Sequence, residues 1–169
     1  KLVPGSKVYT TIRGKGLMAA VVGKKPLTEG FNILGAHIDS PRVDLKPCPV
    51  YEDSDLVFFK THYYGGIKKY QWTTIPLALH GVVCRKDGTA VDVCIGEAED
   101  DPVLVITDLL IHLAGEQMKK TLADGVNAEH LNILLGSMPL PEDEGSDRVK
   151  FAVMSLLNER YGITETDFL

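Results

Sequence analysis

The stretch Gly-Ala-His-Ile-Asp-Ser-Pro, residues 35–41, marks the point where the chain changes character and carries the first candidate site residues. Together with the apolar run before it, it predicts a strand over residues 31–37. In an extended chain, residues two apart point to the same side, so His37 and Asp39 are expected to act together. The pair could be a metal ligand with its orienting carboxylate, a base with its orienting acid, or polar residues that only close a loop.

Pro41 predicts a domain boundary directly after this stretch. Its ring restricts Ser40 and discourages further strand pairing. The residues beyond it are rich in proline at 46–49 and in acidic residues at 52–55, which predicts a loop before the next apolar run, at 56–59. We therefore expect one domain to end near residue 41 and another to begin there.

The composition is that of a soluble globular protein. The 169 residues are 44% hydrophobic and 24% charged, and no apolar run approaches the roughly 20 residues that span a bilayer. The first 40 residues carry six Lys or Arg against Glu29 and Asp39, whereas the remaining 129 carry twelve against twenty-one acidic residues. Because phosphate binding needs a basic surface, nucleic acid is not expected as a partner. The lack of a spanning apolar run argues against a membrane.

The cysteines and the chain ends indicate a cytoplasmic fragment. Cys48, Cys84 and Cys94 lack C-x-x-C spacing and favour neither a thiolate zinc site nor a disulfide framework. No signal-peptide pattern opens the chain. It starts without Met and stops just after residues 164–167, which have the form of a helix or turn start, so both ends are expected to be internal to a longer protein.

The remaining periodicity predicts a mixture of strands and two helices. The best local signal is Asp87-Gly88, which predicts a hairpin over residues 77–95 with a two-residue loop. That register sets Cys84 opposite Val91 and Val82 opposite Val93, and it puts Cys84 and Cys94 on opposite faces. The other predicted elements are strands at 8–12, 17–22, 103–106 and 131–135, a helix at 107–120, and a helix at 146–161 capped by Ser146 and ended by Gly162.

Two segments hold further candidate side chains. His112 lies on the predicted helix 107–120, four residues from both Asp108 and Glu116, where a solvent-exposed histidine is the plain alternative to a functional one. Residues 61–72 hold four Tyr and Trp residues around a glycine pair, which suits an interface or ligand site as well as a packed β-corner.

Three motifs in order resemble one known family. They are residues 35–41, the segment Tyr-Gly-Gly-Ile at 64–67, and Ile-Thr-Asp-Leu-Leu-Ile-His-Leu at 106–113. Together they resemble the aspartyl aminopeptidase and aminopeptidase I family of dinuclear zinc metalloaminopeptidases, and bacterial members in particular. The segment at 60–72 is especially specific, and the likeness covers most of the chain.

The resemblance implies an α/β zinc-peptidase fragment with an inserted β-rich dimerisation domain. Residues 1–41 would belong to the catalytic domain, 42–163 to the insertion, and 164–169 to the start of the return. His37 would be a metal ligand, Asp39 a catalytic carboxylate that orients it, and His112 a substrate-binding residue at a neighbouring subunit's site. Such proteins are similar in forming dodecamers built from dimers.

The resemblance also implies the chemistry and its limits. The complete protein would use two zinc ions per subunit, with Mn or Co possible, to remove N-terminal residues from peptides. Most metal ligands and the general base would lie outside this chain, so the fragment alone is expected to be inactive. Two alternatives stay open: a non-catalytic homo-oligomerisation module, and a metal-independent hydrolase that uses His37 and Asp39.

Overall fold

A computed structural model describes residues 1–139 and 145–168 as two compact units. The first unit is Lys1–Ile38 and the second is Asp39–Leu169. None of the described helices is long and apolar enough to cross a membrane.

The first unit is built on one hairpin. Strand β1 (Lys7–Ile12) pairs antiparallel with β2 (Gly16–Val21), with Ile12 opposite Gly16. The predicted strands at 8–12 and 17–22 are therefore confirmed. Every residue of both strands is exposed.

The predicted strand at 31–37 is absent. Residues 30–41 have no regular structure, and their apolar side chains face solvent, with Phe31 69% and Leu34 100% exposed. A strand needs a neighbour for its backbone N–H and C=O groups. Within the described residues no other strand pairs with this run, so its β-propensity alone does not order it.

The second unit is organised around a four-stranded antiparallel sheet. Its strands are β3 (Arg42–Asp53), β4 (Leu56–Tyr64), β7 (Val105–Ile106) and β8 (Ile133–Gly136), in the spatial order β3-β4-β8-β7. The short strands predicted at 103–106 and 131–135 are thus present with shifted bounds. A four-residue helix, α1 (Lys69–Trp72), follows β4.

The prediction of a loop after Pro41 is wrong over most of its length. Residues 42–53 form β3, and only Ser54 and Asp55, both at positive φ, make the turn into β4. Two central residues at positive φ are the mark of the type I′ hairpin. The prolines are accommodated because the β3–β4 register shifts between Leu45 and Val50, where Pro47 and Pro49 lack the N–H that a regular ladder would need.

The predicted hairpin exists, but its register differs by one residue. Strands β5 (Leu79–Cys84) and β6 (Ala90–Ile95) pair with Cys84 opposite Ala90 and Val83 opposite Val91. The loop has three residues, not two, since the Arg85 N–H still bonds the Thr89 carbonyl at 2.8 Å and Gly88 turns at φ 86°.

The register change alters which residues of β5 and β6 share a face of the hairpin. Val93 and Ile95 on β6 are buried, whereas Val82 is 60% exposed and Cys84 is exposed. Cys84 and Cys94 share a face, contrary to the prediction. All three cysteines are nevertheless outside disulfides.

The long helix α2 (Arg148–Tyr161) covers the sheet. Val149, Val153 and Leu157 on one side of it are buried against a cluster that includes Val57, Phe59, Ile133 and Leu135. The prediction of this helix is confirmed, including its end at Gly162, which has φ 62°. Its first flanking residue is Asp147 rather than the predicted Ser146, and Asp147 makes no side-chain cap.

The helix predicted at 107–120 is wrong. The segment forms turns, with a single 3₁₀ turn at Gln117–Lys119. Leu109, Leu110 and Leu113 are more than half exposed, so they provide no packing to stabilise a helix. The Asp108 carboxylate competes as well, because it accepts a hydrogen bond from the Leu109 N–H at 2.8 Å.

Asp101 organises the acidic loop after β6. One carboxylate oxygen accepts backbone N–H groups from Gly96 at 2.8 Å, Glu97 at 3.2 Å and Ala98 at 3.1 Å. The other pairs with Arg160 on α2. The Arg160 guanidinium, helped by the backbone donors, lowers the pKa of Asp101 to about 2.

Gly136→Ala should destabilise the protein. A Cβ at this position would lie 2.7 Å from Cγ2 of Val153, at the contact between β8 and α2. Overpacking of this kind costs about 1–3 kcal/mol, which a urea unfolding midpoint would detect. Gly81→Ala is the matched control, since its Cβ would meet nothing within 4 Å. Equal midpoints for the two variants would contradict the contact.

Asp101→Asn should destabilise the protein in a pH-dependent way. The folded-state pKa of Asp101, about 2, lies below the ordinary value of 3.8. The ionised carboxylate therefore stabilises the folded state fully above pH 3.8, and this stabilisation is lost as the pH falls towards 2. The loss of midpoint relative to wild type should therefore be full at about pH 7 and shrink below about pH 3. Glu99→Gln, exposed in the same loop, is the control. A pH-independent difference would argue against the ionised contact.

Candidate functional site

His37 and Asp39 lie where one compact unit ends and the next begins. His37 is in the first unit and Asp39 opens the second, and both are exposed. The surrounding backbone is irregular and not the extended strand that the sequence predicted. The shared orientation expected of residues two apart in a strand therefore stays a prediction.

The described residues do not form a complete metal centre. Over residues 1–139 and 145–168, no group of three or more His, Cys, Asp or Glu side chains could hold an ion. A catalytic zinc takes three protein ligands and a water or substrate. His37 and Asp39 supply donor types that zinc accepts, an imidazole and a carboxylate, but they are too few for a site by themselves.

His112 lies at the apex of an exposed loop. A turn covers residues 111–113, with the Leu113 N–H bonded to the Leu110 carbonyl at 2.8 Å. His112 is exposed, and Leu109, Leu110, Ile111 and Leu113 around it are 55%, 71%, 67% and 69% exposed. This His112 loop, residues 108–117, thus presents an imidazole within an apolar surface.

One side chain closes the His112 loop. Oδ1 of Asp108 accepts hydrogen bonds from the Leu109 N–H and from Nε2 of Gln117, each at 2.8 Å. Asp108 and Gln117 also line a cavity of about 450 Å³ beneath the loop, together with His130. Sequence reasoning missed Gln117, because a contact nine residues apart in irregular backbone leaves no periodic signal.

The aromatic segment divides between surface and core. Tyr63 and Tyr64 are 41% and 54% exposed, and the Arg42 guanidinium lies 4.1 Å from the centre of the Tyr64 ring. Trp72 packs against the hydrophobic core instead. One end of the segment therefore packs in the core, as expected of a β-corner. The other end is exposed and carries a cation over an aromatic ring, which suits an interface or ligand site.

Two other histidines lie in ordinary surface pairs. Nε2 of His80 is 2.9 Å from Glu97, and Nε2 of His62 is 3.9 Å from Asp44, with all four side chains substantially exposed. Exposed pairs of this kind contribute little to stability. His80 also borders an apolar cavity of about 480 Å³ between the hairpin and the end of α2, which the sequence did not reveal.

Comparison with known proteins places the chain in a metallopeptidase class. A family model described as aminopeptidase I zinc metalloprotease (M18) matches residues 1–169. A relative named probable M18 family aminopeptidase 1, from Clostridium acetobutylicum, is 56% identical over 168 residues, which is 99% of this chain and 36% of that protein.

Solved structures give the same result. The crystal structure of aminopeptidase I from Clostridium acetobutylicum is 54% identical with a TM-score of 0.83, over 99% of this chain and 37% of that one. An M18 aminopeptidase structure from Thermotoga maritima is 46% identical with a TM-score of 0.83, over 98% and 36%. The chain belongs to the M18 family, and it spans about a third of the length of these relatives.

Proposed function

We propose that the full-length protein carrying this chain is a zinc aminopeptidase that removes N-terminal residues from peptides. The match of the whole chain to the zinc metalloprotease family model carries the proposal. The relative from Clostridium acetobutylicum, which is named an aminopeptidase, adds support. The remaining two thirds of the protein would supply the other metal ligands and the general base.

His37 is the metal ligand of this chain in the proposal, and Asp39 is its orienting carboxylate. Bound zinc supplies a Lewis acid and an acidified water. The task of His37 is to present one neutral imidazole nitrogen, and that of Asp39 is to accept a hydrogen bond from the other, which fixes the tautomer. Their exposure is consistent with a site completed by further protein. The proposal has two zinc ions in each subunit of the complete protein, or Mn or Co in their place, since imidazole and carboxylate ligands bind all three metals.

The domain arrangement is part of the same proposal. Residues 1–41 belong to the catalytic domain, 42–163 form the inserted dimerisation domain, and 164–169 begin the return. The break between compact units at Ile38 and Asp39 lies near the first boundary and supports it. Residues 164–168 pack with the second unit, where the ring of Phe168 lies 6.2 Å from that of Phe59. His112 serves the substrate site of a neighbouring subunit within a cytoplasmic dodecamer built from dimers.

His37→Ala in the full-length protein should remove both bound metal and activity. Loss of a direct ligand is expected to lower zinc content and to reduce kcat/KM to below about one hundredth. Asp39→Asn should retain more metal and lose roughly 10- to 100-fold. Zinc measured by mass spectrometry and hydrolysis of aminoacyl p-nitroanilides are the readouts.

The control is His80→Ala, another exposed histidine, which should keep wild-type zinc and activity. Activity of the 169-residue chain alone, abolished by His37→Ala, would contradict the division of the site between this chain and the rest of the protein. Full activity in a zinc-free full-length protein would instead favour a metal-independent hydrolase that uses His37 and Asp39.

A second candidate function is homo-oligomerisation by the second unit. The exposed apolar residues of the His112 loop favour it, since a surface of this kind marks an interaction site. In a symmetric dimer the same surface of both copies lies in the interface, so the His112 loop of each copy would contact the partner copy. This role is compatible with catalysis by the complete protein.

Leu110→Glu should weaken self-association of the chain. A buried carboxylate without a partner opposes the interface, so the dissociation constant should rise about tenfold or more. Sedimentation velocity over a concentration series measures it. Met138→Glu is the control, because Met138 is 79% exposed on a different segment. A strictly monomeric wild-type chain at high concentration would exclude the interaction module.

A further inference from the structure

The His112 loop has two anchors of different kinds. On its C-terminal side, Ala114 is only 3% exposed, and its carbonyl accepts the Met118 N–H at 2.8 Å. On the N-terminal side the closure is polar: Oδ1 of Asp108 receives both the Leu109 N–H and the Gln117 amide. The turn that bears His112 lies between these anchors.

Apolar packing does not hold the N-terminal half of this turn. Leu109, Leu110 and Ile111 are each more than half exposed. The backbone in this half is neither strand nor helix, so it lacks a regular hydrogen-bond ladder. Turn hydrogen bonds from the Leu113 and Ala114 N–H groups shape this part of the loop locally. The Asp108–Gln117 contact is the side-chain bond that ties the N-terminal side of the loop to its C-terminal side within this chain, and a carboxylate acceptor makes it stronger than a neutral one.

We propose that Asp108 and Gln117 are positioning residues for His112. The proposal rests on the proposed function, in which His112 contacts the peptide substrate at a neighbouring subunit. Loss of the contact would widen the range of conformations open to the loop and so reduce the fraction that presents the imidazole correctly. Small displacements of a positioned group can cost up to about a hundredfold in rate. The role is indirect: Asp108 acts through His112 and not on the substrate.

Asp108→Ala in the full-length protein should lower kcat/KM for aminoacyl p-nitroanilides about tenfold or more, with zinc content unchanged. Gln117→Ala should give the same loss, and it serves as the second variant if Asp108→Ala does not fold. Asp108→Asn keeps an oxygen acceptor at the same place and should restore most of the activity. Lys119→Met is the matched control: it removes the 2.5 Å pair between Lys119, just after the loop, and Glu116, and this pair does not span His112.

A double-mutant cycle with His112→Ala separates positioning from general stability. If Asp108 acts through His112, Asp108→Ala adds no further loss in the His112→Ala background. Three results would overturn the positioning role while leaving the proposed function intact. They are additive losses of kcat/KM in the double variant, equal effects of Asp108→Ala and Asp108→Asn, and a loss of kcat/KM in Lys119→Met. Wild-type activity in His112→Ala would overturn both the substrate role of His112 and this inference. A full-length wild type without aminopeptidase activity would overturn the proposed function itself.

Discussion

The second unit depends on the close contact between helix α2 and strand β8. Gly136 has no side chain, which lets Val153 and Val149 approach the strand and cover Ile133 and Leu135. Strand β8 is the centre of this arrangement, because it pairs with β4 on one side and with β7 on the other. The His112 loop leaves the sheet directly after β7, so the position of its starting point follows from this packing.

Polar contacts attach the irregular segments to that core. Asp101 accepts backbone hydrogen bonds within the acidic loop, and its ion pair with Arg160 links the loop to α2. Nη2 of Arg85 donates to the carbonyl of Tyr161, the residue after Arg160 at the same end of the helix, and the buried Thr61 hydroxyl donates to the Leu131 carbonyl. Each of these groups satisfies backbone atoms that regular structure leaves unpaired. The Asp108–Gln117 contact follows the same principle at the loop that holds His112.

The second unit thus has a well-packed core, and each unit has apolar segments that face solvent. Residues 31–38 in the first unit and the His112 loop in the second are the clearest cases, with Leu34 fully exposed and Leu110 71% exposed. Since the chain spans about a third of its M18 relatives, surfaces of this kind are where further protein would pack in the proposed enzyme. The candidate ligand His37 and the candidate substrate residue His112 lie in these two segments.

The sequence alone determined features that depend on local patterns. The glycine-containing break between β1 and β2 and the apolar face and glycine end of α2 were sufficient to predict those elements, and three ordered motifs were sufficient to identify the family. Tertiary structure decided the rest. It turned the proline-rich segment into β3 with a register shift, moved the β5–β6 register by one residue through a three-residue loop, and left 31–37 and 107–120 without the predicted strand and helix. Strand pairing and helix packing depend on partners distant in sequence, and local propensity does not encode them. The same reason concealed Gln117, whose contact with Asp108 exists only because the loop between them folds back.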